Sequence, residues 1–173
     1  MTPAQKSIVQ YAKMVAKAAE GDPYGNFMSS LMQEGSWFEG MEPAANDPET
    51  KAWQRLHRPK KKECFYNAQQ FVIDISPKAK YFEGLCWQGV MPVDHAWIVF
   101  KGQVIDFTLE AMMRAIKRIK GVDLSKANVA PVYLGLPVPM KFFASVIAVD
   151  GVSDSVAPLY YALKGKKRKK GKG

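Results

Sequence analysis

Three residues whose types combine in thiol chemistry occur near the middle of this 173-residue chain: Cys64, His95 and Asp106. A cysteine sulfur can attack a carbonyl carbon, an imidazole moves protons near neutral pH, and a carboxylate fixes the orientation and tautomer of that imidazole. Such chemistry requires the three side chains to meet in one cleft. The helices and strands that carry these residues therefore determine whether the three side chains can act together.

Cys64 stands at the predicted start of a helix. Apolar residues recur at positions 65, 68, 71, 72 and 75, which is the spacing of one helix face over Cys64–Ile75. A helix N-terminus carries partial positive charge and free N–H groups, which stabilise a thiolate and can donate to a developing oxyanion. Lys60, Lys61 and Lys62 add positive charge just upstream.

His95 and Asp106 are predicted to lie on two strands of a tight hairpin. Residues 94–100 and 103–108 are strand-like, and Lys101-Gly102 between them is typical of a two-residue β-turn. This turn pairs position 100 with position 103 and places Asp106 diagonally across from His95. Because side chains alternate between the two faces of a strand, both should lie on one face, close enough for a hydrogen bond.

At these residues the sequence resembles the transglutaminase-like branch of the papain-like cysteine enzymes. The resemblance implies a Cys–His–Asp triad of Cys64, His95 and Asp106. It also implies a papain-like or transglutaminase-like core, with the Cys-bearing helix packed on a small antiparallel sheet. Phe107 stands where that family pattern usually has proline. The matching stretches are Glu63–Ala68, Tyr81–Gly84, His95–Trp97 and Val104–Thr108.

The remaining chain predicts an α+β fold with extra helices at both ends. Helical, extended and again helical patterns follow one another in blocks rather than alternating, which favours an antiparallel sheet. Residues 1–163 are long enough for one globular domain. Helices are expected from Pro3 to about Gly21 and over 26–33, 64–75, 109–120, 140–149 and 155–163, strands over 79–87, 94–100, 103–108 and 131–139, a loop over 35–50 and a basic connector over 57–62.

The basic character of the protein is concentrated at its C-terminus. The net charge is +9, and residues 164–173 contribute seven positive charges and no acid, so the first 163 residues carry only +2. A Lys/Gly run buries no apolar surface, and we expect this tail to be disordered. It is either a solubilising end or a contact for nucleic acid or another anionic surface.

Five further residues have more than one possible role. Gln54, upstream of the nucleophile, could donate to an oxyanion or be a solvated loop residue. Asn67, one helical turn after the nucleophile, could bind substrate or bond locally, and Trp97 could line a substrate groove or belong to the core. His57 is the alternative imidazole base, and Cys86 is expected to be a buried strand residue.

The predicted function is a cysteine-dependent hydrolase or acyltransferase acting on an amide bond of a protein or peptide through a thioester on Cys64. Protease, deamidase and transglutaminase outcomes all remain open. The alternative is a non-enzymatic protein that binds nucleic acid or a partner through the tail and the 57–62 connector. Two His and no Cys-x-x-Cys predict no metal site or cofactor. The absence of a signal-peptide pattern, few cysteines and no apolar run of membrane-spanning length predict a cytoplasmic protein.

Overall fold

The computed structural model describes residues 1–75, 78–120, 130–150 and 154–170. These residues form an α+β fold in which helices surround a five-stranded antiparallel sheet curled into a half-barrel. The described helices are α1 (Pro3–Ala18), α2 (Pro23–Glu34), α3 (Pro48–His57), α4 (Cys64–Ile75), α5 (Phe107–Lys120), α6 (Met140–Asp150) and α7 (Ala157–Lys170), with a 3-10 turn at Ala44–Asn46. The strands are β1 (Ser36–Glu39), β2 (Ala79–Trp87), β3 (Pro92–Phe100), β4 (Gln103–Ile105) and β5 (Val132–Pro137), in the spatial order β1-β5-β2-β3-β4.

The first two helices begin at capping residues that the sequence displays. Thr2 and Gln5 form a reciprocal capping box at the start of α1, with Pro3 in its first turn. Asp22 accepts a hydrogen bond from the backbone N–H of Gly25 and so starts α2 at Pro23. The second helix is therefore longer at its start than the predicted 26–33, because its cap and first-turn proline precede the apolar stripe.

The prediction of a loop over residues 35–50 was wrong. This stretch contains β1, which pairs with β5, and the start of α3. Asp47 caps α3 through the backbone N–H groups of Glu49 and Thr50. Pro48 is tolerated in the first turn of a helix, where its missing N–H would have no partner. His57, expected in a connector, is the last residue of that helix.

The central elements match their predicted positions closely. Helix α4 spans Cys64–Ile75 and packs against β2 and β3. Lys101 and Gly102 both have positive φ, at 51° and 81°, as a type I′ hairpin turn requires. The predicted register, position 100 with 103 and 98 with 105, is observed. The predicted helix ends at 76–77 and at Gly121 lie outside the described residues.

A pair of facing glycines lets neighbouring groups approach the sheet closely. Gly84 on β2 pairs with Gly135 on β5 and with His95 on β3. A Cβ at Gly84 would lie 2.1 Å from the carbonyl oxygen of Leu134, and one at Gly135 would lie 2.4 Å from the indole of Trp97. Only glycine permits this close approach of strands and indole.

The two faces of the sheet bury different cores. The larger core lies between the sheet and the helices and includes residues of α1, α2, α4 and α7. The opposite face carries a small cluster in which aromatic rings and one thiol pack together. Its fully buried or nearly buried members are Phe82, Cys86, Trp97, Val104 and Tyr133.

The last helix continues into the basic segment. α7 runs to Lys170, and Lys164 Nζ lies 2.9 Å from Glu34 Oε2 on α2. Residues 164–170 are thus helical, whereas we expected disorder. Lys and Arg permit this helix because both are good helix formers. Residues 171–173 lie outside the described residues, and mobility of the tail in solution stays a prediction. No helix in the described part of the chain is long and apolar enough to cross a membrane.

Candidate active site

His95 and Asp106 form a buried ion pair. Their atoms Nε2 and Oδ2 are 2.6 Å apart, and the two side chains retain 6% and 1% of their exposure. A carboxylate only accepts hydrogen bonds, so the Nε2–H of His95 is the donor. This bond fixes the tautomer and the ring plane and leaves Nδ1 for another partner. The diagonal contact predicted from the hairpin register is therefore present.

Asp106 was predicted to lie on a strand, and this prediction was wrong. Strand β4 ends at Ile105, and Asp106 precedes α5, where its Oδ1 accepts a hydrogen bond of 2.9 Å from the backbone N–H of Leu109. The hydroxyl of Tyr133 donates a further bond of 3.1 Å to Oδ2. These donors and His95 offset the cost of burying the carboxylate. The helix cap also holds the carboxyl group in a fixed orientation.

The surroundings of His95 raise its pKa. Burial by itself lowers the pKa of His95. The charge of Asp106, the hydrogen bond to it and the side-chain hydrogen bond and charge of Cys64 act in the opposite direction and raise that pKa to about 10. His95 is consequently an imidazolium at neutral pH. Such a cation attracts a negatively charged sulfur next to it.

Cys64 is the first residue of α4, as predicted. Its thiol is free and buried, with 9% of the residue exposed. The backbone N–H of Asn67 already bonds to the carbonyl of Glu63, whereas the N–H groups of the first helical residues have no partner within the helix. The cysteine thus lies at the positive end of the helix, on the element that packs against β3.

Asn67 ties the segment before Cys64 to the rest of the molecule. Its Oδ1 accepts from the N–H of Lys60 at 3.2 Å, and its Nδ2 donates to the carbonyl of Lys60 at 2.6 Å and to Thr108 Oγ1 at 2.7 Å. The residue is 2% exposed. Both amide hydrogens are used internally, so we assign Asn67 a positioning role in place of the predicted substrate contact.

Gln54 and Trp97, both predicted as candidate site residues, carry buried donors without a partner in the described part of the chain. These atoms are the amide Nε2 of Gln54 and the indole Nε1 of Trp97. A buried donor left unpaired is costly and calls for an explanation, such as a substrate group that accepts its bond. Gln54 lies on α3, and none of its described contacts involves Cys64. Trp97 is 1% exposed, with its ring centroid 6.5 Å from that of His95.

The other imidazole and the other thiol have partners elsewhere. His57 stacks on Trp53 at 4.6 Å, and its Nε2 lies 3.3 Å from Asp74 Oδ2. Cys86 is fully buried, and this burial raises its pKa, which disfavours a thiolate. Cys86 is a buried strand residue, as predicted.

Tyr133 is the residue that sequence reasoning missed. Its ring lies 6.3 Å from that of His95, and it donates to Asp106. Strand alternation around position 133 could have placed it on one face of β5, but only the pairing of β5 with β2 brings it to the His95 side. In the described part of the chain, no group of three or more His, Cys, Asp or Glu side chains is arranged to hold a metal ion.

Comparison with protein-family models, with curated proteins and with solved structures finds no significant match for this chain. The likeness to transglutaminase-like enzymes therefore depends on the residues Glu63–Thr108 alone. Function has to be argued from the geometry of Cys64, His95 and Asp106.

Proposed function

We propose that this protein is a cysteine-dependent hydrolase or acyltransferase that acts on an amide bond through a thioester on Cys64. The buried His95–Asp106 pair, with Nε2 and Oδ2 2.6 Å apart, carries the proposal together with the Cys64 thiol, which begins α4 and interacts with His95. Nucleophile, proton carrier and orienting carboxylate are the parts that such chemistry needs. We further propose that the Cys-bearing helix and the antiparallel sheet form a papain-like or transglutaminase-like core.

The first half of the reaction forms the thioester. The sulfur of Cys64, whose proton is held at Nδ1 of His95, attacks the carbonyl carbon of the amide. The His95 imidazolium then donates that proton to the leaving amine, and the C–N bond breaks. Asp106 holds Nε2 throughout and stabilises the positive charge on the ring.

The second half releases the acyl group. The imidazole takes a proton from an incoming water or amine, which attacks the thioester carbonyl, and the sulfur leaves as a thiolate. Water gives an acid, as in a protease or deamidase, and an amine gives a new amide, as in a transglutaminase. Hydrolysis is the default, because water needs no dedicated binding site.

Two kinds of donor support the oxyanion that forms in each half. The N–H groups in the first turn of α4 surround Cys64 and carry the positive end of the helix dipole. The unpaired amide of Gln54 is the candidate side-chain donor. Gln54→Ala should then lower turnover by about 10²–10³-fold while leaving the labelling of Cys64 by an alkylating reagent nearly unchanged.

Thiol labelling tests the proposal without a known substrate. Native protein is treated with iodoacetamide at neutral pH, and the modified peptides are identified by mass spectrometry. We expect Cys64 to react much faster than Cys86, and faster than Cys64 in a His95→Gln variant. Cys86→Ala is the matched control and should label like the wild type. Equal reactivity of both thiols in the native protein would overturn the enzyme proposal and leave the binding-protein alternative.

A further inference from the structure

A cavity of about 190 Å³ is lined in part by residues that neighbour Cys64 and His95 in the chain or in the sheet. Phe65, which follows Cys64 in α4, forms part of its wall, as do Asp94, which precedes His95, and Gly84, which pairs with His95 across the sheet. The Cα atoms of Phe65 and Asp94 are each about 3.8 Å from that of the proposed nucleophile or base. The side chain of Asp94 leaves β3 on the face opposite to that of His95, towards Tyr24 of α2. The cavity is large enough for one side chain and smaller than the usual pocket for a drug-sized ligand.

The walls of this cavity combine aromatic rings with negative charge. Tyr24 and Phe27 on α2 and Phe65 on α4 supply the rings, and Glu83, Asp94 and Asp154 supply carboxyl groups. Among the described residues that line it, none is Lys, Arg or His. Aromatic faces and carboxylates around one cavity favour a cation.

The carboxyl groups of Glu83 and Asp94 differ in their capacity to bind a ligand. Glu83 is 1% exposed and accepts hydrogen bonds from Tyr81, Ser155 and the backbone N–H groups of Val156 and Ala157, so its oxygens are occupied. Asp94 is exposed, and the described bond to it comes from the hydroxyl of Tyr24 on Oδ1. Of these two, Asp94 is therefore the carboxylate that can pair with an incoming cation, and it is the acidic wall residue that directly precedes His95.

We propose that this cavity is a specificity subsite for a basic side chain, Lys or Arg, of a polypeptide substrate next to the bond that Cys64 attacks. The alkyl stem would lie against Phe27 and Phe65, and the charged end would bond to Asp94. This inference rests on the proposed function, because a subsite has meaning only beside a reactive Cys64. It adds the substrate class that the triad alone does not define.

A pair of matched probes tests the subsite. Two short peptidyl acyloxymethyl ketones, identical except for Lys or its uncharged analogue norleucine beside the electrophile, are reacted with the full-length protein. The second-order rate of labelling at Cys64 is measured by mass spectrometry. We expect the Lys probe to react about tenfold faster or more, as one charge-assisted hydrogen bond would give.

Variants of Asp94 test whether this cavity causes the faster reaction of the Lys probe. Asp94→Asn keeps an acceptor for Tyr24 but removes the charge, and should bring the two rates together. Glu20→Gln removes one charge from an exposed position outside the cavity and should keep the preference. Asp94→Lys should reverse it in favour of a probe with Glu at the same position.

The possible outcomes distinguish failure of the subsite proposal from failure of the proposed function. If both probes label Cys64 rapidly at equal rates, the subsite is overturned and the proposed function stands. A Lys preference that survives in Asp94→Asn overturns the assignment to the Asp94 carboxylate. If neither probe labels native Cys64 faster than it labels the urea-unfolded protein, the proposed function fails, and the subsite fails with it.

Discussion

His95 is held in its imidazolium form between a carboxylate and a thiol. Its pKa is raised to about 10, since the charge of Asp106, its hydrogen bond and Cys64 together outweigh the effect of burial. For the proposed enzyme, this means that His95 already carries the proton that it must donate to the leaving amine.

Replacing each cysteine by alanine separates chemistry from packing. Cys64→Ala should abolish turnover with the fold retained, because a methyl group fits a small site but cannot attack a carbonyl. Cys86→Ala should keep activity and lose about 1 kcal/mol of unfolding free energy, since Cys86 is fully buried between large aromatic residues. Urea denaturation and a turnover or thiol-labelling assay measure the two effects. Equal activity of both variants would contradict the proposed role of Cys64.

Asp106→Asn should change the pH dependence as well as the rate. Asp106 raises the pKa of His95, so its neutralisation should lower that pKa and move the alkaline loss of amide turnover from about pH 10 towards neutral pH. Turnover should also fall by about 10²–10⁴-fold, less than in Cys64→Ala. A pH–rate profile of both proteins checks this. An unmoved alkaline limb would mean that His95 is not the proton donor.

At the scale of the elements, the start of α4 is fixed by contacts outside the helix. Asn67 joins the backbone of Lys60 to Thr108 on α5, so the segment that leads into Cys64 and the helix capped by Asp106 share one anchor. Two of the three proposed catalytic groups are therefore positioned through one buried amide. This arrangement makes Asn67 a positioning residue.

Asn67→Ala should destabilise the protein and slow Cys64 together. The unfolding free energy should fall by about 2–3 kcal/mol, because buried partners lose their hydrogen bonds. Labelling of Cys64 should slow under conditions where the variant is still folded. Asn46→Ala, which removes one exposed bond to Glu42, is the matched control and should cost less than about 0.5 kcal/mol. Unchanged labelling in folded Asn67→Ala would confine Asn67 to a stabilising role.

Strand β2 fixes the start of the last helix. Glu83 accepts from the backbone N–H groups of Val156 and Ala157, at 2.9 and 3.2 Å, and from the hydroxyl of Ser155. A carboxylate at a helix N-terminus is favoured by the helix dipole. Burial nevertheless raises the pKa of Glu83, although its hydrogen bonds oppose this. The cavity proposed as a subsite lies beside this junction, so its wall is tied to the sheet.

At the scale of the whole molecule, most of the net positive charge lies in the C-terminal segment and not in the folded body. The basic residues concentrate in 164–173, while the folded body is nearly neutral. Truncation after Lys164, which keeps the ion pair with Glu34, should leave the thermal unfolding midpoint and the labelling of Cys64 nearly unchanged. Both are measured on the purified truncated protein. An unfolded product would show that residues 165–173 are part of the packed domain.

The same truncation tests the alternative function of the tail. If the tail contacts nucleic acid, binding to a short duplex should weaken on truncation, and the binding of the full chain should fall steeply with salt. Fluorescence anisotropy at several salt concentrations measures this. No difference between the two proteins would leave the tail as a solubilising end.

Local patterns were enough for the centre of the fold. The apolar stripe of Cys64–Ile75 predicted α4, and Lys101-Gly102 predicted both the hairpin and its register, because periodicity and turn chemistry are local properties. The edge strand β1 and helix α3 were missed. The strand is only four residues long and is stabilised by its partner β5 rather than by its own pattern.

By itself, the sequence determined the order of Cys64, His95 and Asp106, the helix that begins at the cysteine and the face shared by the other two. Only the tertiary structure decided that Asp106 caps α5, that Tyr133 from β5 joins it, and that α2 and Phe65 line one aromatic and acidic cavity. The physical reason is that spacing and turn type act over a few residues. Donor partners and cavity walls instead come from segments that meet only when the sheet curls and the helices pack on it.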